Sequence, residues 1–125
     1  MTQDLRNLDL HMHSTVSDGT DRPEELLAKV REAGMALFSV TDHDSARAVS
    51  VIRAARKSGD PEFLPGIEFS CADGGGKYHI LGYAFDPDAP GLNGVIDHGH
   101  ELRMMKVRAR QIGRASCRER VLGCV

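Results

Sequence analysis

Apolar and polar positions alternate across residues 5–10, the two-residue period of a half-buried strand. A polar stretch follows, through His11-Met12-His13-Ser14 to Asp18-Gly19. Over residues 23–33 the period changes, and Leu26, Leu27, Val30 and Ala33 fall on one helical stripe. Pro23 suits a first turn, Glu24 and Glu25 complement the positive end of the helix dipole, and Gly34 is placed to end the helix. Leu37–Val40 is a short apolar strand running into Thr41-Asp42-His43-Asp44. Ser45 is placed to cap a second helix over residues 46–57, which stops at Ser58-Gly59. Residues 63–69 are strand material interrupted by Pro65-Gly66. Asp73-Gly74-Gly75-Gly76 is a turn, and residues 78–83 form the next strand, so the two strands can pair as a hairpin. After a loop at residues 86–91, a helix rich in Arg and Lys is expected from Leu92 to about Gln111.

Strands alternating with helices predict an α/β fold with a mostly parallel sheet or barrel. In such folds active sites collect at the C-terminal ends of the strands, where the polar residues of interest lie here. The 125 residues suffice for one small domain. No apolar run approaches the ~20 residues that span a bilayer, and no apolar segment follows the polar start to make a signal peptide. A cytoplasmic location is therefore expected. The net charge of −2 offers no general attraction to duplex nucleic acid or to an anionic membrane. A phosphate-bearing substrate must be held locally, by metal ions or a few basic side chains. Cys71, Cys117 and Cys124 are an odd, irregularly spaced set, which argues against a disulfide framework.

Four of the six histidines, His11, His13, His43 and His79, sit in or just after strands, and Asp18 and Glu68 share that setting. In an extended segment His11 and His13 point to the same side and can grip one cation. Asp18, on the following loop, can fold back onto the same ion. Imidazole and carboxylate donors suit zinc, manganese or iron without choosing among them. Each element also has a plainer reading: a lone histidine is usually a surface or satisfied core residue, and Asp42-His43-Asp44 can be a helix-capping turn. Ser14 and Cys71 lack a base partner, which argues against a covalent mechanism. Arg103, Lys106 and Arg110 share one face of the last helix and could meet a phosphate, although a solvated face explains them as well. Gly74-Gly75-Gly76 lacks the following helix and Lys-Ser/Thr pair of a phosphate cradle and reads as a turn.

Asp9-Leu10-His11-Met12-His13-Ser14 with Ser17-Asp18-Gly19, then Val40-Thr41-Asp42-His43-Asp44, Pro65-Gly66-Ile67-Glu68 and His79-Ile80-Leu81-Gly82-Tyr83 occur in that order. Together they resemble the polymerase-and-histidinol-phosphatase (PHP) family over roughly residues 5–110. The later segments look most like stand-alone phosphoesterases such as 3′,5′-nucleoside bisphosphate phosphatases, some of which trim RNA from the 5′ end. The resemblance implies the N-terminal portion of a distorted (β/α)7 barrel, with two or three divalent ions (Mn, Zn or Fe) at the C-terminal ends of the strands. It implies His11, His13, Asp18, His43, Glu68 and His79 as ligands, with Glu68 bridging, and Asp9 and Asp42 as groups that orient ligand imidazoles. It implies hydrolysis of a nucleotide, short RNA or other small phosphate ester by a metal-activated water. Two alternatives stay open: a histidinol-phosphate-type phosphatase, and the PHP domain of a bacterial DNA polymerase acting as a structural or proofreading module.

The family pattern also calls for a further His and an Asp-x-His pair after His79. Only His98 and His100 follow, in the expected last helix, where i and i+2 point apart, so a truncated barrel with an incomplete site is expected. Residues 112–121, Ile-Gly-Arg-Ala-Ser-Cys-Arg-Glu-Arg-Val, resemble the translation of a common short-read sequencing adapter. The natural domain is therefore expected to occupy residues 1–111, with 112–125 a non-native tail. Long-read sequencing of the locus across codon 112 tests this, and a genomic frame that encodes the tail and stops would overturn it.

Overall fold

The computed structural model describes residues 7–116. Residues 5 and 6 of the expected first strand, and 117–125 of the expected tail, lie outside them. The chain divides into two units between Ala89 and Pro90. The first contains β1 (Leu8–Met12), α1 (Pro23–Glu32), β2 (Leu37–Val40), α2 (Arg47–Ala55), β3 (Glu62–Phe63), β4 (Gly66–Asp73) and β5 (Gly76–Tyr83), and the second contains α3 (Pro90–Ser116).

Local chemistry explains the helix limits. Pro23 occupies the first position of α1, where a missing N–H costs nothing. The Glu25 carboxylate reaches back to accept the Arg22 backbone N–H at 3.0 Å, and this bond holds its pKa below the usual carboxylate value. Gly34 takes φ +66 just past Ala33 and turns the chain out of the helix, as expected. The second helix is shorter than predicted. It begins after Ala46, and the Ser45 hydroxyl still accepts the Arg47 N–H, at 3.3 Å. Its apolar stripe, Ala48, Val49 and Ile52, is buried. One core gathers Leu26, Leu27 and Val30 of α1, Phe38 and Val40 of β2, and Ala48 and Ile52 of α2.

β1, β2 and β3 form a parallel sheet in that order, as two successive β-α-β units require. Pro65 separates two strands where one interrupted strand was expected, because it cannot donate to a ladder. β4 and β5 then pair antiparallel from Gly66↔Tyr83 to Asp73↔Gly76, closed by a two-residue turn. Hydrogen bonds tie the hairpin to the sheet and to the segment after β2. Glu68 N–H donates to Asp42 O and Asp44 N–H to Glu68 O, both at 3.0 Å, so residues 42–44 run parallel to β4. Tyr83 donates its hydroxyl to Leu10 O at 2.6 Å. Gly66 lies so close to β2 that a Cβ there would collide with the buried side chains of Ser39 and Thr41.

Arg31 at the end of α1 pairs with Asp60 through two bonds of 2.7 and 2.8 Å, and Lys57 N–H adds a third at 2.8 Å. The Arg31 guanidinium, first, and the Lys57 N–H hold the Asp60 carboxyl well below the ordinary carboxylate range. A depressed folded-state pKa stabilises the protein above the unfolded value of about 4 and ceases to do so as pH falls through the folded value. The thermal-midpoint gap between wild type and Asp60→Asn is therefore expected to be widest near neutrality and to close on acidification below that value. A gap of constant size across that range would contradict the assignment.

Candidate metal centre

All six residues expected as ligands converge within the first unit. β1 delivers His11, and the chain just beyond it His13. The loop to α1 carries Asp18, the segment after β2 carries His43, and the hairpin carries Glu68 on β4 and His79 on β5. Glu68 lies at the middle, its side chain only 8% exposed. Its Oε2 is 3.0 Å from His11 Nε2, 3.0 Å from His13 Nε2 and 3.9 Å from His43 Nδ1, while Oε1 is 3.3 Å from His79 Nδ1. Asp18 faces the same rings from the solvent side. Its Oδ1 is 3.4 Å from His13 Nδ1 and its Oδ2 is 3.3 Å from His43 Nε2. The His13 and His43 rings stack with centroids 4.5 Å apart, flanked by His11 at 5.2 Å and His79 at 5.2 Å.

The donor atoms fall into three overlapping triads: His11–His13–Glu68, His13–Asp18–His43 and His43–Glu68–His79. Glu68, His13 and His43 each belong to two of them. Donors at 2.0–2.2 Å from a tetrahedral cation lie about 3.4 Å apart, the spacing seen between these nitrogens and oxygens. A second observation concerns His13 Nδ1 and His43 Nδ1. Both are buried, and neither has an aligned hydrogen-bond partner. Buried polar atoms are seldom left so, and two imidazole nitrogens facing carboxylates out of line for a hydrogen bond suit a cation between them. The residues present therefore fit a divalent metal cluster.

Asp9 and Asp42 do not touch the imidazoles they were expected to orient. Asp9 Oδ1 accepts the backbone N–H of His11 at 3.1 Å. Asp42 accepts from the backbone and hydroxyl of Ser14, both at 2.6 Å, and from the Ser17 hydroxyl at 2.8 Å. Both side chains bond instead to the chain that carries the ligands. Asp44 is buried with φ +51, an uncommon conformation for a residue with a side chain, and its Oδ1 accepts Ser70 N–H at 2.9 Å, anchoring β4 beside Glu68. Tyr83 packs near enough that burial, with the Glu68 and Asp9 carboxylates, pushes its pKa up. The sequence reading assigned no role to Ser14, Ser17, Asp44 or Tyr83; Asx- and Ser-type hydrogen bonding after a strand was the available clue.

His98, His100 and Arg103 lie on α3, with His98 Nδ1 4.0 Å from Glu101 one turn away. Lys106 and Arg110 share that helix, and their side chains lie outside the described set.

Three comparisons bear on this centre. The family model described as the PHP domain matches residues 9–109. A 3′,5′-nucleoside bisphosphate phosphatase of Chromobacterium violaceum is 34% identical over 120 residues, covering 96% of this chain and 41% of the relative. A 5′-3′ exoribonuclease of Haemophilus influenzae is 32% identical over 108 residues, covering 86% of this chain and 39% of the relative. The chain thus spans about two fifths of the length of the curated relatives it matches. Among solved structures, a Chromobacterium violaceum amidohydrolase with bound sulfate and no metal is 35% identical with a TM-score of 0.75, over 86% of this chain and 37% of that one. No helix among the described residues is long and apolar enough to cross a membrane.

Proposed function

Because this chain belongs to the PHP domain family, we propose that its histidine–carboxylate centre is the metal-binding part of a phosphoesterase acting on nucleotide or short-oligonucleotide phosphates. The observation that carries the reading is the position of Glu68, whose two oxygens face four imidazoles delivered by three segments of the chain. A carboxylate so placed can bridge ions, and the three triads offer room for two or three. The similarity to a bisphosphate phosphatase and an exoribonuclease supports a phosphate ester as substrate. The net charge of −2 explains why such a protein would need cations to hold a polyanion.

Bound divalent ions supply Lewis acidity: they neutralise phosphate charge and make water acidic enough to act as a nucleophile near neutral pH. The chain's own residues do the rest. His11 and His79, about half exposed, form the outer rim of the centre, while the half-buried His13 and His43 and the buried Glu68 form its floor. Asp18, 66% exposed, is the carboxylate of the centre nearest to solvent. The Ser14 hydroxyl is buried and donates to Asp42, so it is not presented to a substrate and a serine nucleophile is disfavoured.

The test is cation-dependent phosphate release. A nucleoside 3′,5′-bisphosphate or a 5′-phosphorylated short RNA is expected to be hydrolysed with Mn²⁺ present and spared once a chelator is added. Failure of the chain to bind Mn²⁺ or Zn²⁺ at all would remove the basis of the reading.

A further inference from the structure

The three ligands of the His13–Asp18–His43 triad have something in common that the other ligands lack. Each is the immediate chain neighbour of one buried polar cluster: Ser14 follows His13, Ser17 precedes Asp18, and Asp42 precedes His43. The cluster is tightly made. Asp42 Oδ1 accepts the Ser14 N–H at 2.6 Å and the Ser17 hydroxyl at 2.8 Å, and Oδ2 accepts the Ser14 hydroxyl at 2.6 Å. Ser14 Oγ in turn accepts the Val16 N–H at 3.1 Å, and the Ser14 carbonyl accepts the N–H groups of Ser17 and Gly19. Ser14 and Asp42 are 0% and 1% exposed, so they touch no substrate. A carboxylate buried this far is costly unless fully hydrogen-bonded, and charge-assisted bonds of this length are strong and directional.

We propose that Asp42, Ser14 and Ser17 form a latch whose purpose is to preset one cation site, the His13–Asp18–His43 triad. The proposal rests on the metal-binding reading above. Glu68, His11 and His79 already sit on strands held by ladder bonds. Asp18 does not, since it lies on an exposed loop, and its side chain reaches His13 and His43 only while that loop keeps its shape. With the latch closed, the loop is ordered before the ion arrives, so binding does not have to supply the ordering entropy. In each of the other two triads only one ligand of three adjoins the latch. Asp42, Ser14 and Ser17 are thus positioning residues for one ion rather than for the whole centre.

Co²⁺ titration of the full 125-residue chain, followed by calorimetry and by the visible absorption of the bound ion, tests this. Ser17→Ala is expected to weaken one class of Co²⁺ site about tenfold and Asp42→Asn about a hundredfold, the range typical of groups that support metal ligands. The remaining sites should move much less. Ser17→Thr keeps the hydroxyl and is expected to restore the wild-type titration, which a loss of packing alone would not explain. Should Asp42→Asn fail to fold, by circular dichroism and melting without metal, the Ser17→Ala and Ser17→Thr pair decides the question. Variants that leave every Co²⁺ site unchanged, or weaken all of them equally, overturn the latch while leaving the metal centre intact. A wild-type chain that binds no Co²⁺ overturns both together.

Discussion

Glu68→Gln is expected to remove most cation binding while leaving the fold in place. The amide keeps the volume of the carboxylate but not its charge, and its nitrogen is not a metal donor. Glu68 belongs to two of the three triads, so only His13–Asp18–His43 keeps its full donor set. Calorimetric stoichiometry should fall accordingly, to a single remaining site. The backbone bonds that join β4 to residues 42–44 use the N–H and C=O of Glu68, not its side chain, so a native-like circular dichroism spectrum is expected. If an ion at this centre stabilises the transition state by about 4 kcal/mol, its loss slows phosphate release by about a thousandfold. A variant that binds as many ions as wild type would show that Glu68 is not a ligand.

How far the sequence foretold this centre depends on the kind of residue. His11 and His13 were legible because strand alternation alone fixes their common side, and both reach the same Glu68 oxygen. Asp18, His43, Glu68 and His79 come from segments far apart in the chain. Periodicity cannot bring them together, and the ordered motifs of the PHP resemblance did. The parallel sheet and the hairpin were readable from strand–helix alternation and the glycine turn. Element ends were less so: Pro65 divides a segment that apolar content alone joins, and α2 starts one residue later than its apolar pattern suggests. The roles of Asp9 and Asp42 were misplaced for a physical reason. A carboxylate next to a ligand in sequence is as close to backbone N–H groups and nearby hydroxyls as to a ring, and which partner wins depends on how the loop folds over it. For Asp42 that loop is 14–19, whose compact turn no linear pattern displays.

The same loop yields the second large effect. Gly19→Ala is expected to disrupt the Asp18 side of the centre and to lower stability even without metal. A Cβ at Gly19 would fall on the backbone carbonyl of His13, and backbone, unlike a side chain, cannot rotate out of the way. The loop must therefore lift, straining the Gly19 N–H to Ser14 O bond of 2.9 Å and carrying Asp18 away from His13 and His43. Overpacking of this kind costs about 1–3 kcal/mol, several degrees in the melting temperature of a unit this size. Ligand linkage adds a second, separable loss. An ion present at a hundred times its dissociation constant stabilises the native state by about 2.7 kcal/mol, and a site that no longer forms forfeits that increment. Melts with and without Zn²⁺ should thus show Gly19→Ala below wild type in both conditions, with the wider gap when Zn²⁺ is present. Gly74→Ala is the control, since a Cβ there meets nothing within 4 Å. A Zn²⁺-induced increment as large in Gly19→Ala as in wild type would mean that the approach of residue 19 to His13 has no bearing on the ion, and that Asp18 reaches the centre by some other loop conformation.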